Sequence, residues 1–596
     1  MKTVATEEGY ASSGAKPLES RAPLRPIGMD RVYALVVVIA LVAGVGLRVV
    51  RLAEVPPGLH PDEACNGYDA YSILKTGRDH RGNFLPLVMQ GFDDYRMALF
   101  PYSLVPLVAA FGLKPAVVRL GAALWGIVDL VAITVLAGLM MGWPAAAAAA
   151  LFGALSPSHL PFSRYGIEGI AASATITLGM LCFFLWLRRR RDVWLLLSGA
   201  FFGLSLYSYA ITKAFLPFLI ALLIVLYWRE LKAARLKALA AAAIVMSLAV
   251  PQAVLLLQHT AEMQARFNQM SLFHIIATCP GCDPEQARAA GHSLFYQLIG
   301  FAANWLSYFT PSFLFLVGDR GDHWTMVHPP GFGQLLPEQA PLILLALAAI
   351  ISARRRKIAL LLAGWLVVAA LPAAFLMPQG AAWAEARALP TPHVMFDYSV
   401  GSLRLTPSLL LSHPDSRHDV LAMAPWILFS ALGFVVLLEW TSRMAVLRAA
   451  AAGLILLGAI FNGARFVRYY FRDFPVLAAP YFSYGVEQAL RAVDKLDNGA
   501  EPIAITTRIN QPYIYILFFE RYPPRLCQRQ RVGRLNNRLF APVLEFGRYY
   551  FYSLRNLYQV FPHGAFVFAG SEAPPSPPTL SVRYPDGSVA YNVVIK

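Results

Sequence analysis

Residues 32–50, VYALVVVIALVAGVGLRVV, and the stretch His60-Pro61-Asp62-Glu63-Ala64 that follows decide the reading of this chain. The first is an unbroken apolar run of about the 20 residues that cross a bilayer as a helix. The second puts two adjacent carboxylates where that helix hands the chain to water. Carboxylates at a membrane boundary are costly unless solvated, paired or used. Asp62 and Glu63 therefore mark either a helix N-cap or a site for a base or a metal.

The rest of the chain extends the first reading. Of 596 residues 57% are hydrophobic and 14% charged, with mean hydropathy +0.51. That composition excludes a soluble globular protein of this length and implies a polytopic α-helical membrane protein with about eleven spans. Spans are expected at 32–50, 118–140, 143–158, 167–187, 193–210, 213–228, 238–257, 340–353, 358–377, 421–440 and 446–463. Basic stretches such as Arg188–Arg191, Arg229–Lys237 and Arg354–Lys357 recur after every second crossing, which orients them to the cytoplasm. The N-terminal tail 1–31, with Lys2, Lys16, Arg21, Arg25 and Arg31, is then cytoplasmic and largely disordered, and lacks the pattern of a cleaved signal. Large external loops fall at about 51–117, 258–337 and 378–420; the apolar runs 99–113 and 294–316 inside two of them are expected as interfacial helices. The net charge of +16 is explained by the basic loops and does not imply nucleic acid.

From about 466 the composition changes to that of a small external α/β domain, 466–596. Strand-like runs are PIAIT (502–506), YIYILFF (513–519), AFVFAG (565–570) and the hairpin-like SVRYPDGSVAYNVV (581–594), with a helical period over 485–496. The segment Arg521–Arg538 carries six arginines and no acid; a solvated face is the default reading, contact with anionic lipid or an acidic acceptor the alternative. Cys279 and Cys282, spaced C-x-x-C in an external loop, read as a local disulfide. A thioredoxin-like role lacks its strand–helix setting, and a zinc site with His274 and His292 lacks a second pair at suitable spacing.

Pro61-Asp62-Glu63-Ala64 is followed by Asn66-Gly67-Tyr68-Asp69-Ala70, then Ser163-Arg164-Tyr165-Gly166 after the third span and Gly203-Leu204-x-x-Tyr207-x-Tyr209 after the fifth. In this arrangement, over roughly residues 30–440, the chain resembles the GT-C superfamily of membrane glycosyltransferases, in particular bacterial relatives of protein O-mannosyltransferases and the lipid A aminoarabinose transferase. The resemblance implies a GT-C-like catalytic domain over 32–465. It implies transfer of a sugar from a polyprenyl-phosphate donor, with inversion, to an acceptor on the non-cytoplasmic side of a bacterial inner membrane. The acceptor (glycan, lipid or protein) stays open. So does its rival, a transporter or flippase of a lipid-linked glycan, and so does a non-catalytic scaffold. Acids at external span ends favour surface chemistry over transport, which places charges at mid-membrane.

The chemistry needs a base, because an acceptor hydroxyl has a pKa far above neutrality, and a cation on the leaving phosphate. By resemblance Asp62 is the base, and Glu63 hydrogen-bonds the acceptor or tunes Asp62. Arg96 stands where the aminoarabinose transferase has a phosphate-contacting lysine before a Phe-Gly, here Phe111-Gly112. Lys213, Arg417 and His418 are further candidates for the donor phosphate. Glu168, His328 and Tyr68 are candidates for an acceptor or second acidic site. Glu168 matches an acidic turn that helps bind metal in oligosaccharyltransferases; an Arg164–Glu168 i,i+4 pair is the simpler reading. No cofactor is required, and a divalent cation stays open. Expected partners are the donor, the acceptor and membrane lipids.

Overall fold

The computed structural model describes residues 27–92, 95–258, 260, 271, 294–319, 326–376, 396–399, 402–405, 414–496, 502–530, 543–552 and 554–596. The Cys279–Cys282 pair, the tail 1–26 and the arginines Arg531, Arg534 and Arg538 lie outside the described residues. Every segment expected as a span is helical. The first part of the chain gives α1 (Ile27–Val49), α2 (Pro61–Thr76), α3 (Leu99–Phe111), α4 (Pro115–Met141), α5 (Trp143–Leu155), α6 (His159–Phe162), α7 (Gly169–Arg189) and α8 (Asp192–Ser205). Then follow α9 (Thr212–Leu226), α10 (Trp228–Ala233), α11 (Arg235–Gln258), α12 (Leu294–Ser307), α13 (Gln339–Ala348), α14 (Arg356–Ala374), α15 (Met423–Trp440) and α16 (Ala445–Arg472). Among the described residues seven helices are long and apolar enough to cross a membrane by length and composition; α3, α5, α8, α9 and α13 are shorter apolar helices.

Local chemistry sets the breaks. Pro115 and Pro144 stand in the first turns of α4 and α5, where a missing N–H costs nothing. Gly142, at φ 93°, makes the turn between them, a conformation that a side chain disfavours. Packed helices α4, α5, α7 and α15 form most of the interior, with Ile133, Phe152, Met180 and Leu428 at its centre.

The first long loop is folded. It holds α2, a hairpin of β1 (Val88–Gln90) and β2 (Tyr95–Met97), and α3, which packs on α2 and α4. Of the third loop, the described part includes a hairpin of β3 (Phe396–Ser399) and β4 (Ser402–Leu405) and a 3₁₀ turn over Ser416–Ala422.

The C-terminal region is α/β. A six-stranded sheet, β6-β7-β5-β8-β10-β9, comprises β5 (Ile503–Ile505), β6 (Glu545–Phe546), β7 (Tyr549–Tyr550), β8 (Ala565–Ala569), β9 (Leu580–Arg583) and β10 (Val589–Ile595). The runs at 502–506, 565–570 and 581–594 are strands, and Val486–Leu496 is a helix. Residues 513–519 are not a strand but lie in the helix Pro512–Phe519. The segment is buried all round, from Tyr513 to Phe518, so no periodicity separates strand from helix; Pro512 at its first turn starts it as a helix. Helix α16 also runs to Arg472, past 466.

This C-terminal part packs directly on α2. Leu59 N–H donates to the Phe482 carbonyl at 2.7 Å, and the Tyr515 hydroxyl donates to the Leu59 carbonyl at 3.1 Å. Gln528 Nε2 donates to Ser72, Thr76 and the Asp79 carbonyl.

Candidate active site

Helix α2 opens with a reciprocal cap. The Asp62 N–H donates to His60 Nδ1 at 3.2 Å, and the His60 N–H donates to Glu63 Oε2 at 3.0 Å. Glu63 is the third helical residue and fully buried. Arg119, five residues into α4, grips the same carboxylate through Nε (2.9 Å to Oε1) and Nη2 (3.0 Å to Oε2). The Gly166 N–H, from the turn between α6 and α7, adds a bond of 2.9 Å to Oε1. Each Glu63 oxygen thus accepts two bonds, and the carboxylate turns inward. Arg119 also takes the carbonyls of Leu52 (3.1 Å), Pro56 (2.6 Å) and Gly58 (2.8 Å). The pair ties the loop before α2, the start of α2, α4 and the 163–166 turn into one unit.

Asp62 does the opposite. Its side chain keeps 37% exposure, and its described partner is His60 Nδ1 at 3.4 Å. Buried Tyr165 faces the same spot. Burial pushes its phenol well above the usual range; Asp62, Glu63 and Glu168 add to the rise and Arg417 opposes it. One side chain thus senses Asp62, Glu168 and Arg417 together. They come from α2, the start of α7 and the 3₁₀ turn before α15.

Arg96 is not held out toward solvent. It is buried, donates to Asn66 Oδ1, and sits 2.8 Å from both Cys65 Sγ and Asp69 Oδ2. Burial works against its charge, but Cys65, Asp69, Glu168 and Asp62 outweigh it and hold the guanidinium charged. Burial also opposes the Asp69 charge, yet His80, 2.6 Å away, and Arg96 hold that carboxyl below its usual range. Cys65, Asp69 and His80 offer donor atoms within 4.8 Å of one another, a spacing that suits a metal ion. The Arg96 guanidinium already occupies the face of Cys65 and Asp69 that a cation would use, so the donor set fits an internal ion pair better than a metal.

The remaining candidates divide. Arg417 is partly exposed and forks onto Asp415 (3.0 and 2.9 Å), with His418 Nδ1 3.6 Å from the same carboxylate. The Tyr209 hydroxyl donates to the Arg417 carbonyl at 3.3 Å, which joins that turn to the start of α9, where Lys213 stands half-buried. His328 is buried, and burial pulls its imidazole down to about 4. Tyr68 is buried, and its hydroxyl donates to the Tyr522 carbonyl at 2.7 Å: it joins α2 to the C-terminal part. The Arg164–Glu168 pair does not form. Arg164 instead donates to the carbonyls of Leu47, Arg51 and Val55 and stacks on Phe471, 4.7 Å from its ring centre. Three carbonyls at and just after the end of α1 thus hold the guanidinium.

Two features have no counterpart in the sequence reading. Arg119 is one; its signal is an arginine inside an apolar run. The other is a fully buried set between helices: Arg48 Nη2 lies 2.8 Å from His159 Nδ1, and His159 Nε2 lies 3.3 Å from Asp129 Oδ2. Ser163 Oγ, at 3.0 Å from the same His159 nitrogen, connects this set to the 163–166 turn. Isolated ionisable residues in apolar spans were the available signal.

No family model and no curated protein matches the chain. Solved structures do. ArnT from Cupriavidus metallidurans bound to undecaprenyl phosphate is similar at 12% identity, with 96% of this chain and 98% of that chain covered and a TM-score of 0.50. The apo state of the same protein gives 13% identity, coverage of 91% and 93% and a TM-score of 0.49. The archaeal oligosaccharyltransferase AglB from Archaeoglobus fulgidus, with an inhibitory peptide and a dolichol-phosphate, gives 15% identity, coverage of 84% and 65% and a TM-score of 0.48. The likeness is one of fold alone: a helical part with many apolar helices followed by a C-terminal sheet region.

Proposed function

We propose that this chain is a glycosyltransferase that moves a sugar from a polyprenyl-phosphate donor to an acceptor hydroxyl on the non-cytoplasmic side of the membrane. The observation that carries the reading is the division of labour in the Asp62-Glu63 pair. Glu63 is saturated by Arg119, Gly166 and His60 and fixes the backbone; Asp62, held at the start of α2, keeps a half-exposed carboxylate. The fold supports the reading, since a structure of similar fold was solved with undecaprenyl phosphate bound.

In the proposed reaction the acceptor oxygen attacks the anomeric carbon while Asp62 takes its proton. The bond from that carbon to the phosphate oxygen breaks, and the polyprenyl phosphate leaves with the electron pair. A single displacement inverts the anomeric centre. Lys213 and Arg417 are our candidates for the departing phosphate, with His418 beside them. Arg96 is a positioning residue, because its two Nη groups already serve Asn66, Cys65 and Asp69. The C-terminal part packs on α2, and we assign both to the periplasmic side, with the first 31 residues cytoplasmic and the catalytic part ending where α16 ends.

The test is reconstitution. Purified chain in liposomes, supplied with a panel of polyprenyl-phosphate sugars and envelope acceptors, is expected to form a glycosidic bond detected by mass spectrometry. Asp62→Asn is expected to lower transfer by roughly 10²–10⁴ while donor binding persists. Movement of an intact lipid-linked glycan across the bilayer with no new glycosidic bond would instead establish the transporter.

A further inference from the structure

Where α1, α3 and α4 meet, a groove of about 650 Å³ opens on the outer surface of the protein. Its walls are apolar, from Val49 of α1, Phe111 of α3, and Val117 and Leu120 of α4. Phe111 is 56% exposed and Val49 40% exposed. Two cations line the same groove, Arg51 and Lys114. Arg51 is already committed, 2.6 Å from Glu54. The Lys114 side chain is exposed and has no hydrogen bond or ion pair among the described residues. An apolar trough with one uncommitted positive charge complements an amphiphile with an anionic head.

We propose that this groove seats an anionic phospholipid of the surrounding bilayer, its phosphate on Lys114 and an acyl chain along Val49, Phe111, Val117 and Leu120. A lipid, rather than a peptide, matches the walls: they offer apolar area and a point charge at the end of membrane-spanning α1. The seat has a route to the candidate active site. Leu52 lines the groove, and its carbonyl is held by Arg119 at 3.1 Å. The same guanidinium holds Glu63 at the start of α2. A lipid in the groove therefore packs against the loop whose inner side positions Asp62. The inference stands on the groove alone and is independent of the transfer reaction.

The test is lipid retention by the full-length chain. It is released from nanodiscs of mixed phosphatidylglycerol and phosphatidylcholine and weighed by native mass spectrometry. The parent protein is expected to retain phosphatidylglycerol preferentially. Lys114→Glu is expected to reduce that retention by at least about fivefold, the effect of losing one lysine near an anionic surface, with the added negative charge acting in the same direction. Leu120→Trp, which keeps the charge and fills the trough, is expected to lower retention of both lipids. Equal retention in all three proteins overturns the proposal. So does displacement of phosphatidylglycerol by equimolar undecaprenyl phosphate in the parent but not in Lys114→Glu, which would give the groove to the carrier. Unchanged far-UV circular dichroism and elution volume guard against misfolded variants.

Discussion

Neighbouring carboxylates that differ in surroundings predict opposite phenotypes, and Asp62 and Glu63 are such neighbours. Glu63→Gln preserves shape but removes the negative charge between Arg119, Gly166 and the His60 N–H. The Arg119 guanidinium is fully buried. Its other partners are three backbone carbonyls, which stabilise a cation but do not neutralise it. Removing one member of a buried pair costs about 3–5 kcal/mol. Two N–H donors, from Gly166 and His60, also lose a charged acceptor, for which about 1 kcal/mol each is a fair figure. Because Gln keeps one oxygen, the lower end, about 3 kcal/mol, is the expected loss. Asp62→Asn changes a side chain that is 37% exposed, with a 3.4 Å contact to His60, so stability is expected to move by no more than about 0.5 kcal/mol. The assay is paired: detergent-solubilised protein followed by thermal unfolding, and transfer measured on the same preparations. Glu63→Gln is expected to unfold several degrees earlier, Asp62→Asn at the parental temperature with transfer down roughly 10²–10⁴. Equal destabilisation by the two, or parental transfer by Asp62→Asn, refutes the division of roles. In the second case Glu168, which faces the same Tyr165 phenol, becomes the next base to test.

Arg96→Ala is expected to destabilise the fold by about 3 kcal/mol, the lower end for breaking a buried pair, since buried Asp69 keeps only His80; a normal unfolding temperature with a raised donor KM would return Arg96 to the phosphate. Burial depresses the His328 imidazole to about 4 from 6.5, so the unfolded chain binds its proton first as pH falls. The folded state keeps this contribution above about pH 6.5 and loses roughly 3 kcal/mol of it by about pH 4. His328→Gln is expected to flatten that acid limb in thermal unfolding followed against pH, and an unchanged limb counts against it. Because the Cys65-Asp69-His80 donors are covered by Arg96, a chelator is expected to leave both transfer and unfolding temperature unchanged; loss restored by a divalent cation would place a metal in the site.

The limits of legibility follow from the range of the interactions. Spans were readable because each carries its own signal, a run of apolar side chains facing lipid or one another. The cap at His60–Glu63 was readable for the same reason: its partners lie within three residues. Functional and capping readings of Asp62-Glu63 looked like alternatives in sequence. In the fold the cap is observed at His60 and Glu63, and the turn of α2 sends Glu63 inward and leaves Asp62 at the surface, free for the role we propose for it. What chose between them was Arg119, 56 residues away, and no local pattern encodes a pairing of that range. Arg96 is the mirror case. Its position before Phe111-Gly112 suggested a phosphate, but the β1–β2 hairpin aims it at Asp69, 27 residues back. Helix Pro512–Phe519 was mistaken for a strand because α2 and the sheet bury it on every side, which erases the amphipathic period. The Arg48–His159–Asp129 set shows how such errors could shrink. Arg48 and Asp129 alone are expensive ions in apolar runs, and in α1 and α4 they are tolerated only if they meet, here through His159 of α6. Charge that must be paired in an apolar interior is therefore a long-range constraint that the sequence does carry, and it applies with equal force to the buried pair Arg119 and Glu63.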